Sequence, residues 1–317
     1  MDAIDIVRRH FAPTRLVRAA SLSTAEREVY LKLESELPTG SFKVRGAVYA
    51  LTVNAARGVA GEVVAASTGN HGASVAYAAR LLGMRATIFL PARSNPVKVS
   101  RIHELGARSV EAGTDLSAAI DAAHAYTAKT GAFFLHDASD PDIPAGTATI
   151  AVEVLEQAPG TETIYVPMGD TALIRGVAAA AKQIKPSIRI VGVAAENAAA
   201  YWQSWRTGDA VETATADTIA DGLAVRRALA PNVAAIRRLV DEVRVVSEAA
   251  LLDAIRFLIE REHVIAEPAG AAATAALLEE LEELEEMEEP SPRGACVALV
   301  TGANIAAEVL ASATERR

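Results

Sequence analysis

The sequence predicts an α/β protein with two parallel sheets, each in its own domain. Three observations carry this. Short apolar runs alternate with stretches of helical periodicity through most of the chain; strand–helix–strand spacing of that kind needs crossover connections, and crossovers build parallel sheets. The rhythm is interrupted at Asp140, Pro141, Asp142 and Pro144, a turn-rich segment that reads as a linker. The chain has 317 residues, 51 % of them hydrophobic, enough for two cores.

Taken in order, residues 3–11 form a short amphipathic helix that Pro13 ends, and 29–33 alternates apolar and polar side chains as a strand does. A helix follows over 46–57. Strands over 63–66, 86–90, 109–111 and 133–136 then alternate with helices over 73–82, 96–105 and 116–129, giving a small domain over 40–145. Beyond the linker come helices over 146–157, 172–182, 198–206 and 248–262, interleaved with strands over 163–166, 188–193 and 243–246. A long helix from Ala269 to about 288, a strand over 295–300 and a closing helix from Ile305 complete the chain. The N-terminal segment is expected to pack on the second domain, which is then discontinuous, 1–39 with 146–317. In the glutamate-dense stretch 279–289, Leu281, Leu284 and Met287 recur every third position, as on a helix end with one packed and one solvated face.

Composition excludes several functions. A net charge of -9 without a basic stripe argues against nucleic acid as a partner. No apolar run reaches the length of a membrane span, and the N-terminus lacks a signal-peptide core, so a cytoplasmic protein with no membrane partner is expected. The single cysteine, Cys296, rules out an internal disulfide framework or a multi-cysteine metal site; its apolar neighbours mark a buried strand residue.

Four stretches carry chemistry. In the first, Lys43 follows Thr39, Gly40, Ser41 and Phe42 instead of the charged neighbours of a solvated helix face. Gly40 permits close approach to the backbone, and Phe42 can exclude water from the amine, lowering its pKa as a Schiff-base lysine needs. In the second, Ser67, Thr68, Gly69, Asn70, His71 and Gly72 join a strand to a helix. Free backbone N–H groups and the positive end of the helix dipole meet there, so the turn either binds a carboxylate or phosphate or simply caps the helix. The third, Gly169, Asp170, Thr171, Ala172 and Leu173, makes the same junction later in the chain, and the fourth, Thr301, Gly302, Ala303 and Asn304, follows the last strand.

In this order the four stretches resemble the motifs of the fold-type-II pyridoxal-phosphate enzymes, in particular the serine/threonine dehydratase branch. The resemblance spans Pro38 to Asn304. It implies two three-layer parallel-sheet domains like those of tryptophan synthase β, with the cofactor, pyridoxal 5'-phosphate, in the cleft between them. By resemblance, Lys43 in Ser41-Phe42-Lys43-Val44-Arg45-Gly46 holds the cofactor as an internal aldimine, with Phe42 beside it. Residues Ser67, Thr68, Gly69, Asn70 and His71 hold the substrate α-carboxylate, and Asn70 also bonds the cofactor's ring hydroxyl. His71 caps or packs; Thr68 stands where racemases of this branch carry a serine. Gly169 to Leu173 stand where the family has a glycine-rich phosphate loop; Asp170 departs from it, since a carboxylate there repels a phosphate unless it points away or caps the next helix. Thr301 takes the place of a serine that contacts the pyridine nitrogen, and a hydroxyl there favours β-elimination over transamination. The segment Thr218–Gly222 lies near the active-site mouth by resemblance, and Glu267 lies near the cofactor ring, a position an ordinary helix-start acid could also fill.

The activity implied is an ammonia-lyase reaction on a small β-hydroxy amino acid such as threonine or serine. A racemase, a hydroxyaspartate dehydratase, a β-replacement enzyme and a non-catalytic binding protein stay open as alternatives. No metal is expected: Glu196 matches the first ligand of a family cation site, but Trp202 falls where an aspartate should be. A homodimer or homotetramer is expected, and, with no room for a C-terminal regulatory domain, no inhibition by isoleucine.

Overall fold

In the computed structural model, which describes residues 2–67, 69–92, 94, 96–287 and 294–315, the strand–helix rhythm resolves into two sheets. The elements run α1 (Ala3–Arg8), β1 (Leu16–Arg18), β2 (Arg27–Leu33), α2 (Lys43–Ala56), β3 (Glu62–Ala66), α3 (Asn70–Leu81), β4 (Arg85–Leu90), α4 (Pro96–Glu104), β5 (Arg108–Glu111), α5 (Leu116–Thr130) and β6 (Phe133–Phe134). They continue with α6 (Ile143–Gln157), β7 (Thr161–Pro167), α7 (Ala172–Ile184), β8 (Arg189–Ala195), α8 (Ala200–Thr207), α9 (Ala230–Leu239), β9 (Glu242–Val246), α10 (Glu248–Glu262), α11 (Pro268–Glu286), β10 (Gly294–Val300) and α12 (Ala307–Thr314).

The first compact unit comprises Met1–Ala12 and Leu37–Thr147, and the second Pro13–Glu36 and Ala148–Arg317. Residues up to 12 cluster with the first unit instead of the second. The reason is local: α1 packs on α2, and the Phe11 ring lies 6.0 Å from that of Tyr77. Helix α1 stops at Arg8, short of residue 11, because Pro13 disfavours helical backbone ahead of it. The linker prolines are partly helical: α6 starts at Ile143, and Pro144 occupies its first turn, where a missing N–H costs no intrahelical bond.

The first unit carries a four-stranded parallel sheet ordered β5-β4-β3-β6. Alternate residues of its strands face opposite sides. Val64, Ala66 and Phe89 pack against Ala119 and Ala123 of α5. On the other face, Gly72 of α3 comes so close to Ile88 and Ile102 that a larger side chain there would collide with Ile88.

The second unit carries a six-stranded sheet ordered β1-β2-β10-β7-β8-β9, parallel except for the antiparallel edge pair β1–β2. Its core joins Leu31, Leu33, Val191, Val193, Ala298 and Val300 to the alanine face of α11 and to Leu251, Ile255 and Leu258 of α10. Cys296 is buried in β10, and burial pushes its thiol up. Lys32 on β2 is fully buried; its ammonium donates to Glu153 at 2.7 Å, to the Thr14 carbonyl at 2.8 Å and to Gln157 at 2.9 Å. That set of acceptors satisfies a charge that would otherwise be costly to bury. Among the described residues no helix is long and apolar enough to cross a membrane.

Candidate active site

Parallel strands deliver the loops after them to one end of a sheet, and ligands of open α/β sheets bind at that end. The turns from Ser67 to His71 and from Gly169 to Leu173, and Thr301, follow such strand ends, after β3, β7 and β10.

In the first unit, a tight turn leads into α2. Gly40 takes φ +70°, a left-handed conformation in which a Cβ is strained, and its N–H donates to the Leu37 carbonyl at 2.7 Å. Lys43 is therefore the first residue of α2, which begins at 43 and not at 46. Its side chain is only 14 % exposed. The Nζ lies 5.7 Å from the centroid of Phe42, within cation–π range, and donates to Asp137 Oδ2 at 3.0 Å. Ser41 Oγ, beside it in sequence, is buried without a hydrogen-bond partner among the described residues.

Asp137 was not anticipated. It follows β6, the neighbour of β3 in the sheet. The available signal was an acid placed directly after the apolar run Phe133, Phe134, Leu135, at the end of a parallel strand. Burial pushes its carboxyl up, but the positive charge of Lys43, with contributions from His71 and His136, outweighs burial and holds the carboxyl well below the usual carboxylate range.

After β3, Asn70 opens α3. The Gly69 N–H donates to Ser67 Oγ at 3.0 Å, so a ligand carboxylate would compete with that hydroxyl for it. Gly69 packs on the aliphatic stem of Lys98, a buried residue of α4 that sequence reasoning also missed. His71 is buried, with Nε2 3.0 Å from the Leu135 carbonyl, which fixes the strand end that carries Asp137. Thr68 lies outside the described residues.

In the second unit, the loop after β7 leads into α7 through Thr171, which takes φ +73° where a glycine is usually found. Asp170 Oδ1 accepts from the Ala172 N–H at 2.8 Å, capping the helix. Thr171 Oγ1 is buried close to the Tyr201 hydroxyl. Ala172 and Leu173 are buried beneath the turn. Asn232 on α9 donates to the Tyr201 hydroxyl at 3.1 Å and to the Asp170 carbonyl at 3.4 Å, holding the loop from outside. Both residues were missed: α9, which carries Asn232, was not foreseen, and Tyr201 lies on the foreseen α8 outside any motif.

Within the second unit, packing brings the remaining residues beside the loop after β7. A methyl group on Gly169 would collide with the Gly222 carbonyl, and one on Gly222 would crowd Ala269. A methyl group on Gly270 would strike the Gly302 carbonyl, and one on Gly302 the Glu267 carboxylate. The Glu267 N–H donates to the Gly302 carbonyl at 2.9 Å, and Thr301 Oγ1 donates to the Ala269 carbonyl at 3.4 Å. Gly169, the 218–222 segment, Glu267 and Thr301 thus form one continuous lining at the carboxyl ends of β7 and β10. Among the described residues no three His, Cys, Asp or Glu side chains are grouped to hold a metal.

Taken unit by unit, the residues match separate parts of a phosphorylated aromatic aldehyde. Lys43 supplies a shielded amine for the carbonyl carbon. The start of α7 supplies helix-end N–H groups and the Thr171 hydroxyl for a phosphate. Thr301 supplies a hydroxyl at the end of β10.

The family model for pyridoxal-phosphate dependent enzymes matches residues 7–302. The chain is similar to the L-threonine ammonia-lyase of Thermotoga maritima, 39 % identical over 80 % of this chain and 63 % of that protein, so the match spans less than two thirds of that relative. It is similar to the L-threonine ammonia-lyase of Geobacter sulfurreducens, 35 % identical over 99 % of this chain and 77 % of the relative. Among solved structures, maize serine racemase superposes with a TM-score of 0.90 at 30 % identity, covering 98 % of this chain and 94 % of that one.

Proposed function

We propose, from the premise that this chain belongs to the pyridoxal-phosphate-dependent enzyme family and to its threonine/serine dehydratase branch, that it converts threonine or serine to a 2-oxo acid and ammonia. It is a lyase whose cofactor is pyridoxal 5'-phosphate. The observation that carries the reading is the shielded Lys43 amine at the start of α2, in a chain 35 % identical to an L-threonine ammonia-lyase over 99 % of its length.

Lys43 would hold the cofactor through its amine, which Phe42 shields, and Asn70 would bond the ring hydroxyl. The loop Gly169, Asp170, Thr171, Ala172 and Leu173 would hold the phosphate through its backbone and the Thr171 hydroxyl, not through the Asp170 carboxylate. Thr301 would offer its hydroxyl to the ring nitrogen, and Glu267 would lie near the ring. Bound there, the cofactor supplies an electron sink for the pair left when the substrate's α-hydrogen departs. The substrate carboxylate is held by the turn from Ser67 to His71, which orients the α-C–H bond. With substrate bound, the Lys43 amine would take the α-proton. The β-hydroxyl then leaves as water with a proton equivalent to the one taken from Cα, and the resulting enamine becomes an imine. Hydrolysis returns one water and gives the 2-oxo acid and ammonia, so the reaction balances without a further reactant.

Ammonia release across a panel of hydroxy amino acids tests the reading. Threonine or serine is expected to give stoichiometric ammonia and 2-oxo acid, and Lys43→Ala to abolish both ammonia release and the visible band of the bound cofactor. An unaltered spectrum and rate in Lys43→Ala would refute the assignment. The likeness to maize serine racemase supports a second reading; D-serine formed without net ammonia would establish that one instead.

A further inference from the structure

We infer that Asp137 is a positioning residue for Lys43: its carboxylate aims the amine and favours its protonated form, so that this pair sets the pH at which Lys43 becomes nucleophilic. The inference rests on Lys43 being the cofactor's amine.

The geometry is that of a built contact. Nζ of Lys43 lies 3.0 Å from Oδ2 of Asp137, with the two side chains only 14 % and 26 % exposed. The other carboxylate oxygen accepts from the Ala138 N–H at 3.1 Å, which fixes the carboxylate against rotation. His136 Nδ1 lies 3.7 Å from that oxygen and itself accepts from the Ala138 N–H at 3.1 Å. His71 reaches the same place from α3, tied to the Leu135 carbonyl. The titratable groups that act on Asp137 are therefore Lys43 of α2, His71 of α3 and His136 of its own segment; Phe42 is the aromatic neighbour of the amine.

A lysine that only has to meet an aldehyde is better served by burial and by cations nearby, both of which keep its amine neutral. A carboxylate at hydrogen-bond distance does the reverse. It makes Lys43 a weaker nucleophile at neutral pH and a stronger base. A proton taken from the substrate then arrives on an amine whose counter-ion is already in place. Asp137 thus shifts Lys43 toward the proton-transfer part of its work.

The test uses the full chain. Lys43 is acetylated with acetic anhydride across a pH series before cofactor is added, and the modified peptide is quantified by mass spectrometry, with exposed Lys129 as internal reference. In Asp137→Asn the midpoint for Lys43 falls by about one pH unit or more, equivalent to about tenfold faster labelling at neutral pH. Asp137→Glu stays near the wild-type midpoint, and Lys129 does not move. A second measurement needs no Asp137 variant. By carboxyl NMR, Asp137 of the wild-type chain stays ionised below the usual aspartate range, and in Lys43→Met it returns toward it. Coincident Lys43 midpoints in wild type and Asp137→Asn, or an ordinary Asp137 titration in wild type, would overturn the inference. A chain that develops no visible band with pyridoxal phosphate would sink the reading of Lys43 instead, a separate outcome.

Discussion

Asp170 is the residue at which this chain departs most from a glycine-rich phosphate loop. Its carboxylate does two things at once. It caps α7 through the Ala172 N–H, and it takes for itself a donor that a phosphate could use. The adjoining Thr171 adopts a left-handed backbone, unusual for a β-branched residue, and carries a buried hydroxyl close to that of Tyr201. Removing the charge while keeping a capping oxygen separates these effects. Asp170→Asn is expected to tighten pyridoxal phosphate binding by about five- to tenfold, since a unit charge near the phosphate is worth a kcal/mol or more even at high effective dielectric. Cofactor titration followed by absorbance checks this; unchanged binding would mean that Asp170 turns away from the phosphate, and weaker binding that its carboxylate supports the loop.

At the scale of elements, the site is built by close approach of backbones. The loop after β7 and the 218–222 segment touch at Gly169 and Gly222, where no Cβ fits. The neighbour is a carbonyl and not a flexible side chain, so it has little room to yield. Gly169→Ala should lower cofactor affinity by about tenfold or more. Gly160→Ala, in open space ahead of β7, should leave it unchanged. Equal effects of the two substitutions would show that the close approach at Gly169 is unimportant. The same scale explains what was legible in the sequence. Buried parallel strands such as β8 and β10 read as short apolar runs, and the helices between them keep their periodicity. Helix α9 was missed because Val233 and Ile236 are its only bulky buried apolar residues and Pro231 opens it. Strand β1 is three residues long and half-exposed, too short to show alternation. Asp137 was illegible for a different reason: it meets Lys43 across 94 residues of sequence, a pairing that only the fold creates.

At the scale of the whole chain, the four motif stretches divide between the two units. Lys43 and the turn from Ser67 to His71 belong to the first; the Gly169–Leu173 loop, Glu267 and Thr301 belong to the second. Each set stands at the carboxyl ends of its own parallel sheet or at the helix start beside it, which is why strand–helix junctions in the sequence were informative: that is where backbone donors are left without intrahelical partners. The account depends on one covalent attachment. The most direct measurement is to reduce the cofactor-loaded chain with borohydride, digest it, and locate the pyridoxyl group by mass spectrometry. The account predicts the group on Lys43 alone. A group on Lys98 or any other lysine, or none at all, would contradict it.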